Sequence, residues 1–205
     1  MKVFILCSGN QERYNNTIKN PNYSKIKQLI NINGEPLLHR TIRQLKKRDI
    51  KPIIVTHLPE LKIGKWIEPQ DRTYTISTLK STSHLWDEKT IILLGDVLYT
   101  EYALKKIIEC EDPIRFFGTR AEIFALVFTE NKLTIDIINK AMEWSKKNNH
   151  RIRGKLWCLY RHLILVDPRE HLFGDYFTRI NDGTRDFDFQ GEYHEWLKHK
   201  KGADK

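Results

Sequence analysis

Three stretches of this sequence carry side chains whose types and spacing could do chemistry. The first is Cys7-Ser8-Gly9-Asn10-Gln11, followed by Arg13 and then Lys27. Small residues in a turn let successive backbone N–H groups converge on an anion, and two fixed positive charges strengthen such a cradle. The chemistry it suits is the holding of a polyphosphate. The second stretch is Leu94-Gly95-Asp96-Val97, which delivers one carboxylate just after a glycine. A carboxylate so placed can hold a metal ion bound to phosphates. The third is Asp186-Phe187-Asp188. In an extended segment its alternation puts both carboxylates on one side. Two like charges side by side call for a cation between them or a helix N-terminus beside them.

Each stretch also has a plainer reading. Gly9 can serve only as a turn residue with positive φ. Gly-Asp is ordinary turn chemistry, and Asp96 can be a helix cap. The first loop is neither G-x-G-x-x-G nor G-x-x-x-x-G-K-[ST], so the Rossmann and P-loop fingerprints are absent. What decides between the readings is whether the intervening elements can bring the three stretches together.

Those elements read as follows. Val3 to Cys7 is a continuous apolar run of strand length, as expected of a strand buried on both faces. Gln28 to Ile32 makes a short extended piece, broken by Asn33-Gly34-Glu35-Pro36. Pro36 suits a first helical position, and Leu38, Ile42 and Leu45 recur at helical spacing after it. Ile53 to Thr56 is the next buried strand, so the chain opens β–loop–α–β, the unit of a parallel sheet. Residues 57–72 are mixed, Tyr74 to Ile76 reads as a strand, and 81–86 as a short capped helix. Thr90 to Leu94 is a buried strand ending at Asp96, and Thr100-Glu101 starts a helix. Ile114 to Phe117 and Ile123 to Phe128 read as strands, 132–149 as the longest helix, and Leu156 to Tyr160 as one more strand. A terminal helix follows from Glu192 to His199. In a parallel sheet, Asp96 at the end of a central strand lies beside the first loop, at the edge where open α/β sheets bind ligands.

The 205 residues allow one domain with a sizeable core. Lys and Arg number 35 against 26 acidic residues, and this excess of +9 implies an anionic partner. The charge is spread along the chain, so phosphate-bearing small molecules account for it as well as nucleic acid does, and no nucleic-acid-binding motif is present. The densest cluster is Lys146, Lys147, His150, Arg151, Arg153 and Lys155, at the end of the longest helix, where cations are favoured and solvated; a role in binding an acceptor's phosphate is the lesser reading. Cys7, Cys110 and Cys158 are odd in number and far apart, which points to reduced thiols. The opening run lacks the pattern of a signal peptide, and no run approaches the roughly 20 apolar residues of a membrane span. The expected location is the cytoplasm, with no membrane partner.

Taken in order, the Leu6-to-Arg13 turn, Lys27-Gln28-Leu29, Gly34-Glu35-Pro36-Leu37-Leu38, Leu94-Gly95-Asp96-Val97 and Asp186-Phe187-Asp188 resemble the MobA-like and sugar-phosphate nucleotidyltransferases. The likeness covers residues 1–56 and 90–98 and extends more weakly over 182–197. Where that family has a second loop glycine, this chain has Gln11.

The resemblance implies a Rossmann-like α/β fold of the GT-A type, with a mixed, mainly parallel sheet flanked by helices. It implies one domain, with a nucleotide-binding half over 1–110 and an acceptor-binding half over 111–205. The activity implied is Mg²⁺-dependent transfer of a nucleoside monophosphate from an NTP to a phosphorylated acceptor, with release of pyrophosphate. The implied nucleotide-binding set is Cys7, Ser8, Gly9, Asn10, Gln11, Arg13, Lys27 and Ser83, with Arg13 and Lys27 catalytic. The implied metal ligands are Asp96, Asp188 and Asp186, family spacing favouring Asp188 over Asp186. A GT-A glycosyltransferase using a nucleotide-sugar and a non-enzymatic polyanion-binding module are the competing readings. The base, the acceptor and the oligomeric state are left open by the sequence.

Overall fold

A computed structural model describes residues 1–9, 26–188 and 190–203. Its centre is a seven-stranded sheet in the order β10-β8-β9-β6-β1-β4-β5. The strands are β1 (Lys2–Leu6), β4 (Ile53–Val55), β5 (Lys65–Ile67), β6 (Thr90–Leu94), β8 (Ile114–Gly118), β9 (Ile123–Phe128) and β10 (Phe177–Arg179). β9 runs against both its neighbours; every other pairing in this sheet is parallel. β1 lies between β4 and β6, with Phe4 opposite both Ile53 and Ile92. The mixed, mainly parallel sheet expected from the sequence is therefore present, with strands from both halves of the chain side by side in it.

Alternation along the strands splits the core into two layers. Phe4, Leu6, Ile53, Val55 and Ile92 face one way, against Ile76 and Leu79 of α2 (Thr75–Lys80), Ile137, Ile138 and Ala141 of α4 (Asn131–Lys147), and Leu156 to Tyr160 of α5 (Leu156–Leu163). Val3, Ile5, Cys7, Ile54, Ile91 and Leu93 face the other way, against Leu38, Ile42 and Leu45 of α1 (Leu37–Lys46) and Ala103, Leu104 and Ile107 of α3 (Glu101–Ile108). Coverage on both sides is why these strands read as unbroken apolar runs. Thr100 caps α3 by accepting from the Ala103 backbone N–H at 3.0 Å. Cys7, Cys110 and Cys158 are all free thiols, as their spacing implies.

A third, smaller core holds the C-terminal segment in place. A hairpin of β2 (Asn31–Ile32) and β3 (Glu35–Pro36) supplies Ile30, Ile32 and the adjoining Leu37. They pack with Leu98 of β7 (Val97–Leu98), with Phe187, and with Tyr193 of α6 (Gln190–Ala203). The Phe187 ring meets Tyr193 and Trp196 edge-on at centroid distances of 5.7 and 6.1 Å. β11 (Arg185–Asp186) pairs antiparallel with β7, placing Asp186 opposite Val97.

Several elements differ from the sequence reading. Tyr74 to Ile76 is no strand: Tyr74 is the extended residue before α2. Leu156 to Tyr160 is likewise helical, as the first turns of α5. Six successive residues of α5, Leu156 to Arg161, are all buried, so its pattern lacks the polar face that marks a surface helix. Short apolar runs of this kind do not separate strand from helix by period. The short element after residue 81 is a 3-10 turn, Ser83–Leu85, without a side-chain cap. Lys27–Leu29 is also a 3-10 turn, and Pro36 precedes α1 instead of opening it. β5 and β10 escaped notice because they are short and partly exposed, so burial left no apolar run. No helix among the described residues is long and apolar enough to cross a membrane.

Candidate active site

The three chemically suggestive stretches meet at the C-terminal ends of β1 and β6. β1 runs on through Cys7, whose N–H donates to Val55 O at 2.8 Å, to Ser8, whose Oγ donates to the same carbonyl at 2.9 Å. Ser8 is buried and Gly9 exposed, so the chain leaves the sheet edge at this point. On the neighbouring strand, Gly95 N–H donates to Leu6 O at 3.0 Å. A Cβ at Gly95 would stand 2.3 Å from Cys7 Sγ and 3.0 Å from Leu6 O. Glycine is required here because the two strand ends close on each other, and that closure turns Asp96 toward the cleft. Asp96 does not cap α3; Thr100 does. The cap reading of this acid is thereby set aside.

Phe187 performs the matching task for the other acids. Its ring is fully buried in the third core, so the residues either side of it are turned the other way. That brings Asp188 to Lys27. The Lys27 Nζ lies 3.0 Å from Asp96 Oδ2 and 3.0 Å from Asp188 Oδ1. The lysine side chain is only 7% exposed, against 25% for Asp96 and 11% for Asp188. Burial by itself would lower the Lys27 pKa, but the charges and hydrogen bonds of Asp96 and Asp188 outweigh it and raise the group above its ordinary value. Lys27 is a fixed ammonium.

Asp186 faces a different set of neighbours. Its carboxylate, with those of Glu122 and Asp188, forms a group whose ligand oxygens all lie within 4.8 Å of one another. Burial first, and then repulsion from Glu122, Asp96 and Asp188, pushes its pKa up from 3.8 to about 7. The three carboxylates concentrate negative charge at one place, which a cation would offset. The donors are hard oxygen atoms, which suit Mg²⁺ better than a softer metal. The residues therefore fit the ion that the resemblance implies, with one addition. Glu122 sits on the connection between β8 and β9, and nothing in its local sequence distinguished it from other loop acids.

The cleft in front of these groups has a volume of about 440 Å³. Ser8, Gly9, Lys27, Asp96 and Asp188 form one side, and Arg72, Thr73, Tyr74, Thr75 and Thr78 the other. A side lobe of about 120 Å³ continues past Asp186, Asp188 and Glu122 to Trp157. Lys155 borders both spaces. It is the one member of the basic cluster that turns to the site; Lys146, Lys147, Arg151 and Arg153 are exposed, as a solvated helix end requires. Gly154 explains the turn of Lys155. Its φ is +70°, and a Cβ there would stand 2.1 Å from the Tyr74 ring. The Gly154 carbonyl accepts from Ile76 N–H at 3.0 Å, which ties α5 to α2 across the cleft wall.

The sequence-predicted set is thus partly assembled. Ser8, Gly9, Lys27, Asp96, Asp186 and Asp188 share the cleft and its lobe. Cys7 and Ser83 do not line it: Cys7 is buried in the core with its thiol pKa raised by burial and then by Asp96, and Ser83 lies in the turn beyond α2. Asn10, Gln11 and Arg13 lie outside the described residues. Sequence reasoning missed Glu122 and the wall of Arg72, Thr73, Tyr74, Thr75 and Thr78, and underrated Lys155.

This fold is that of the nucleotidyltransferases. A nucleotidyl transferase from Methanothermobacter thermautotroptrophicus superposes with a TM-score of 0.67 at 12% identity, over 97% of this chain and 96% of the other. The inositol-1-phosphate CTP transferase from T. maritima gives a TM-score of 0.60 at 14% identity, over 93% and 90%. The CTP:phosphocholine cytidylyltransferase from Streptococcus pneumoniae gives 0.59 at 13% identity, over 96% and 97%. At these identities the likeness is one of fold. No family model and no curated protein sequence matches the chain.

Proposed function

We propose that the protein is a nucleotidyltransferase, joining the nucleoside monophosphate of an NTP to a phosphorylated small-molecule acceptor in the cytoplasm. The observation that carries this reading is the Lys27 ammonium, held 3.0 Å from each of Asp96 and Asp188 at the mouth of β1. In the reaction an acceptor phosphate oxygen forms a bond to the α-phosphorus. The bond from that phosphorus to the bridging oxygen breaks, and pyrophosphate leaves with the electron pair. Negative charge grows on the non-bridging and leaving oxygens, so catalysis consists of positioning and electrostatic stabilisation.

Each group has a part in that scheme. Ser8 and Gly9, together with Asn10, Gln11 and Arg13, hold the β- and γ-phosphates. Lys27 donates to the α-phosphate as its charge grows. Asp96 and Asp188, with Asp186 and Glu122 beside them, would hold Mg²⁺. Such an ion would supply positive charge against the negative charge that develops on the phosphates. The wall from Arg72 to Thr78 receives the nucleoside. The lobe between Glu122 and Trp157 receives the acceptor, with Lys155 on its phosphate. On this reading residues 1–110 are the nucleotide half and 111–205 the acceptor half.

The test is a thermal-shift panel of the four NTPs with Mg²⁺. The base that is read should stabilise the protein by about 2.7 kcal/mol when its nucleotide is present at 100 times its dissociation constant. Turnover with that nucleotide and a panel of sugar and alcohol phosphates should then release pyrophosphate. Equal, negligible shifts with all four nucleotides would remove the proposal.

A further inference from the structure

The antiparallel ladder between β6 and β9 is interrupted just before the cleft by one side chain. It runs from Thr90 opposite Phe128 to Leu93 opposite Ala125, and the next pair would be Leu94 and Phe124. There the Tyr99 hydroxyl stands between the two backbones. It accepts from Leu94 N–H at 3.0 Å and gives its proton to the nearer of two carbonyls, Phe124 O at 2.6 Å, the other being Leu94 O at 3.2 Å. Both backbone groups are thereby satisfied, through a phenol oxygen instead of through each other. An oxygen interposed in this way holds the strand ends further apart than a direct bond of about 2.9 Å allows. Tyr99 is buried, and burial raises its pKa well above the ordinary phenol value, so the bridging proton stays on it at neutral pH.

The other side of β9 is irregular at the same residue. β8 pairs Phe117 with Ala125 and Gly118 with Ile123, which leaves Phe124 as an extra residue, a bulge. Gly118 permits it, since a Cβ there would stand 2.1 Å from Glu122 O. The consequence is seen in the core. Phe124 and Ala125, though successive, both belong to the layer of Tyr99 and α3, whereas Ile123 belongs to the layer of Leu126, Leu156 and Trp157. Strict alternation from Leu126 would set the Phe124 ring in that second layer. Ile123 stands there in its place, and it lines the side lobe together with Leu94, Asp96 and Trp157. The lobe thus opens where β6 and β9 part, with an aliphatic chain where a phenyl ring would otherwise project.

We infer that Tyr99 is the positioning residue of the acceptor lobe: its phenol, set into the sheet in place of the Leu94–Phe124 rung, keeps the bulge at Phe124 and so holds open the space that the acceptor enters. This rests on the nucleotidyltransferase reading only in taking the lobe as the acceptor's place. Tyr99 touches no substrate and acts through the two strand ends. Without its hydroxyl, Leu94 N–H and Phe124 C=O are left buried and unpaired, a costly state that a direct bond between them relieves. The strand ends then close and the lobe narrows, while the wall from Arg72 to Thr78, on the other side of the cleft, is untouched.

The experiment compares the unaltered protein with Tyr99→Phe, which keeps the ring and removes the hydroxyl, and with Ile107→Val, which thins the same core layer and removes no hydrogen bond. In crystal structures without ligand, Tyr99→Phe should bring Leu94 N to direct hydrogen-bond distance of Phe124 O, about 2.9 Å, with the lobe narrowed. Ile107→Val should leave both as they are. A Tyr99→Phe structure in which the two atoms stay apart and the lobe keeps its volume overturns the inference. In steady-state assays, the sugar or alcohol phosphate that the unaltered protein uses should show a KM raised at least ten-fold in Tyr99→Phe. The NTP dissociation constant should stay within two-fold, and Ile107→Val should change neither. NTP and acceptor weakened alike, or an unchanged acceptor KM, is the contrary result. Should Tyr99→Phe not fold, Ile123→Phe decides: a ring on the lobe wall should raise the acceptor KM at least ten-fold and weaken the NTP less than two-fold, and an acceptor KM that does not move overturns the inference. If no phosphate ester in the panel releases pyrophosphate, the transferase reading fails, and the crystal structures still decide whether the phenol holds the lobe open.

Discussion

The two walls of the cleft are built by different means. One is a sheet edge: Ser8, Asp96 and Asp188 stand at the ends of paired or anchored segments, and hydrogen bonds from Cys7 to Val55 and from Gly95 to Leu6 hold the backbones that carry them. The other is a packed pair of helices, in which α2 and α5 meet through Tyr74, Ile76 and Gly154. The first wall concentrates charge on Lys27 and its acids. The second presents hydroxyls, a phenol ring and one arginine from residues 72–78. The difference teaches that a rigid sheet edge holds charged groups to fractions of an ångström, while a helical wall offers a varied polar face; on the proposed reading the first would serve the chemical step and the second the nucleoside.

Variants can break or sharpen that contrast. The largest effects belong to the sheet edge. Asp96→Asn should abolish measurable turnover, and Lys27→Ala should lower kcat by about two to three orders of magnitude, the scale of losing one transition-state charge contact. KM for the NTP should move far less in Lys27→Ala, and full activity of Asp96→Asn at saturating Mg²⁺ would erase the distinction between the walls.

A middling effect belongs to the helical wall. In Gly154→Ala the left-handed backbone costs about 1–2 kcal/mol, and the new methyl group displaces the Tyr74 ring. At this chain length each kcal/mol lowers Tm by about 2–4 °C. Steady-state kinetics should show a higher KM for the NTP with kcat changed less; a kcat collapse matching that of Lys27→Ala would show that the walls do not divide the work.

The smallest effect is one of pH. Asp186 has a folded pKa of about 7 against an ordinary 3.8, so between those values the native state keeps a proton that the unfolded chain has lost. The metal-free protein should therefore lose stability as pH rises through this window, and the urea midpoint should fall between pH 4.5 and 7.5. In Asp186→Asn that slope should flatten. An unchanged slope would mean that crowding among the acids is relieved in solution.

The site was legible where side-chain alternation and strand burial leave a pattern. Asp-Phe-Asp showed that both acids share a side, and the core position of Phe187 bears that out. Gly95-Asp96 after an apolar run showed an acid at a strand end. Glu122 was not legible, because a loop acid acquires its role only when an antiparallel strand pair delivers it beside Asp186. Tyr74 and Leu156 to Tyr160 were misread because helices covered on every side lose the amphipathic period, and Lys155 was underrated because its basic neighbours in sequence belong to a solvated helix end.

By itself, then, the amino-acid order determined the buried strands, the chemistry of the loop-borne charges and the sides on which Asp186 and Asp188 lie, since each depends on neighbours only one to a few residues away. Tertiary structure alone decided that Lys27 would meet acids 69 and 161 positions distant, and that a glycine and a tyrosine 80 positions apart would shape the opposite wall. Contacts of that separation are set by which faces of the sheet and helices must be covered, and no local pattern records the partner that covers them.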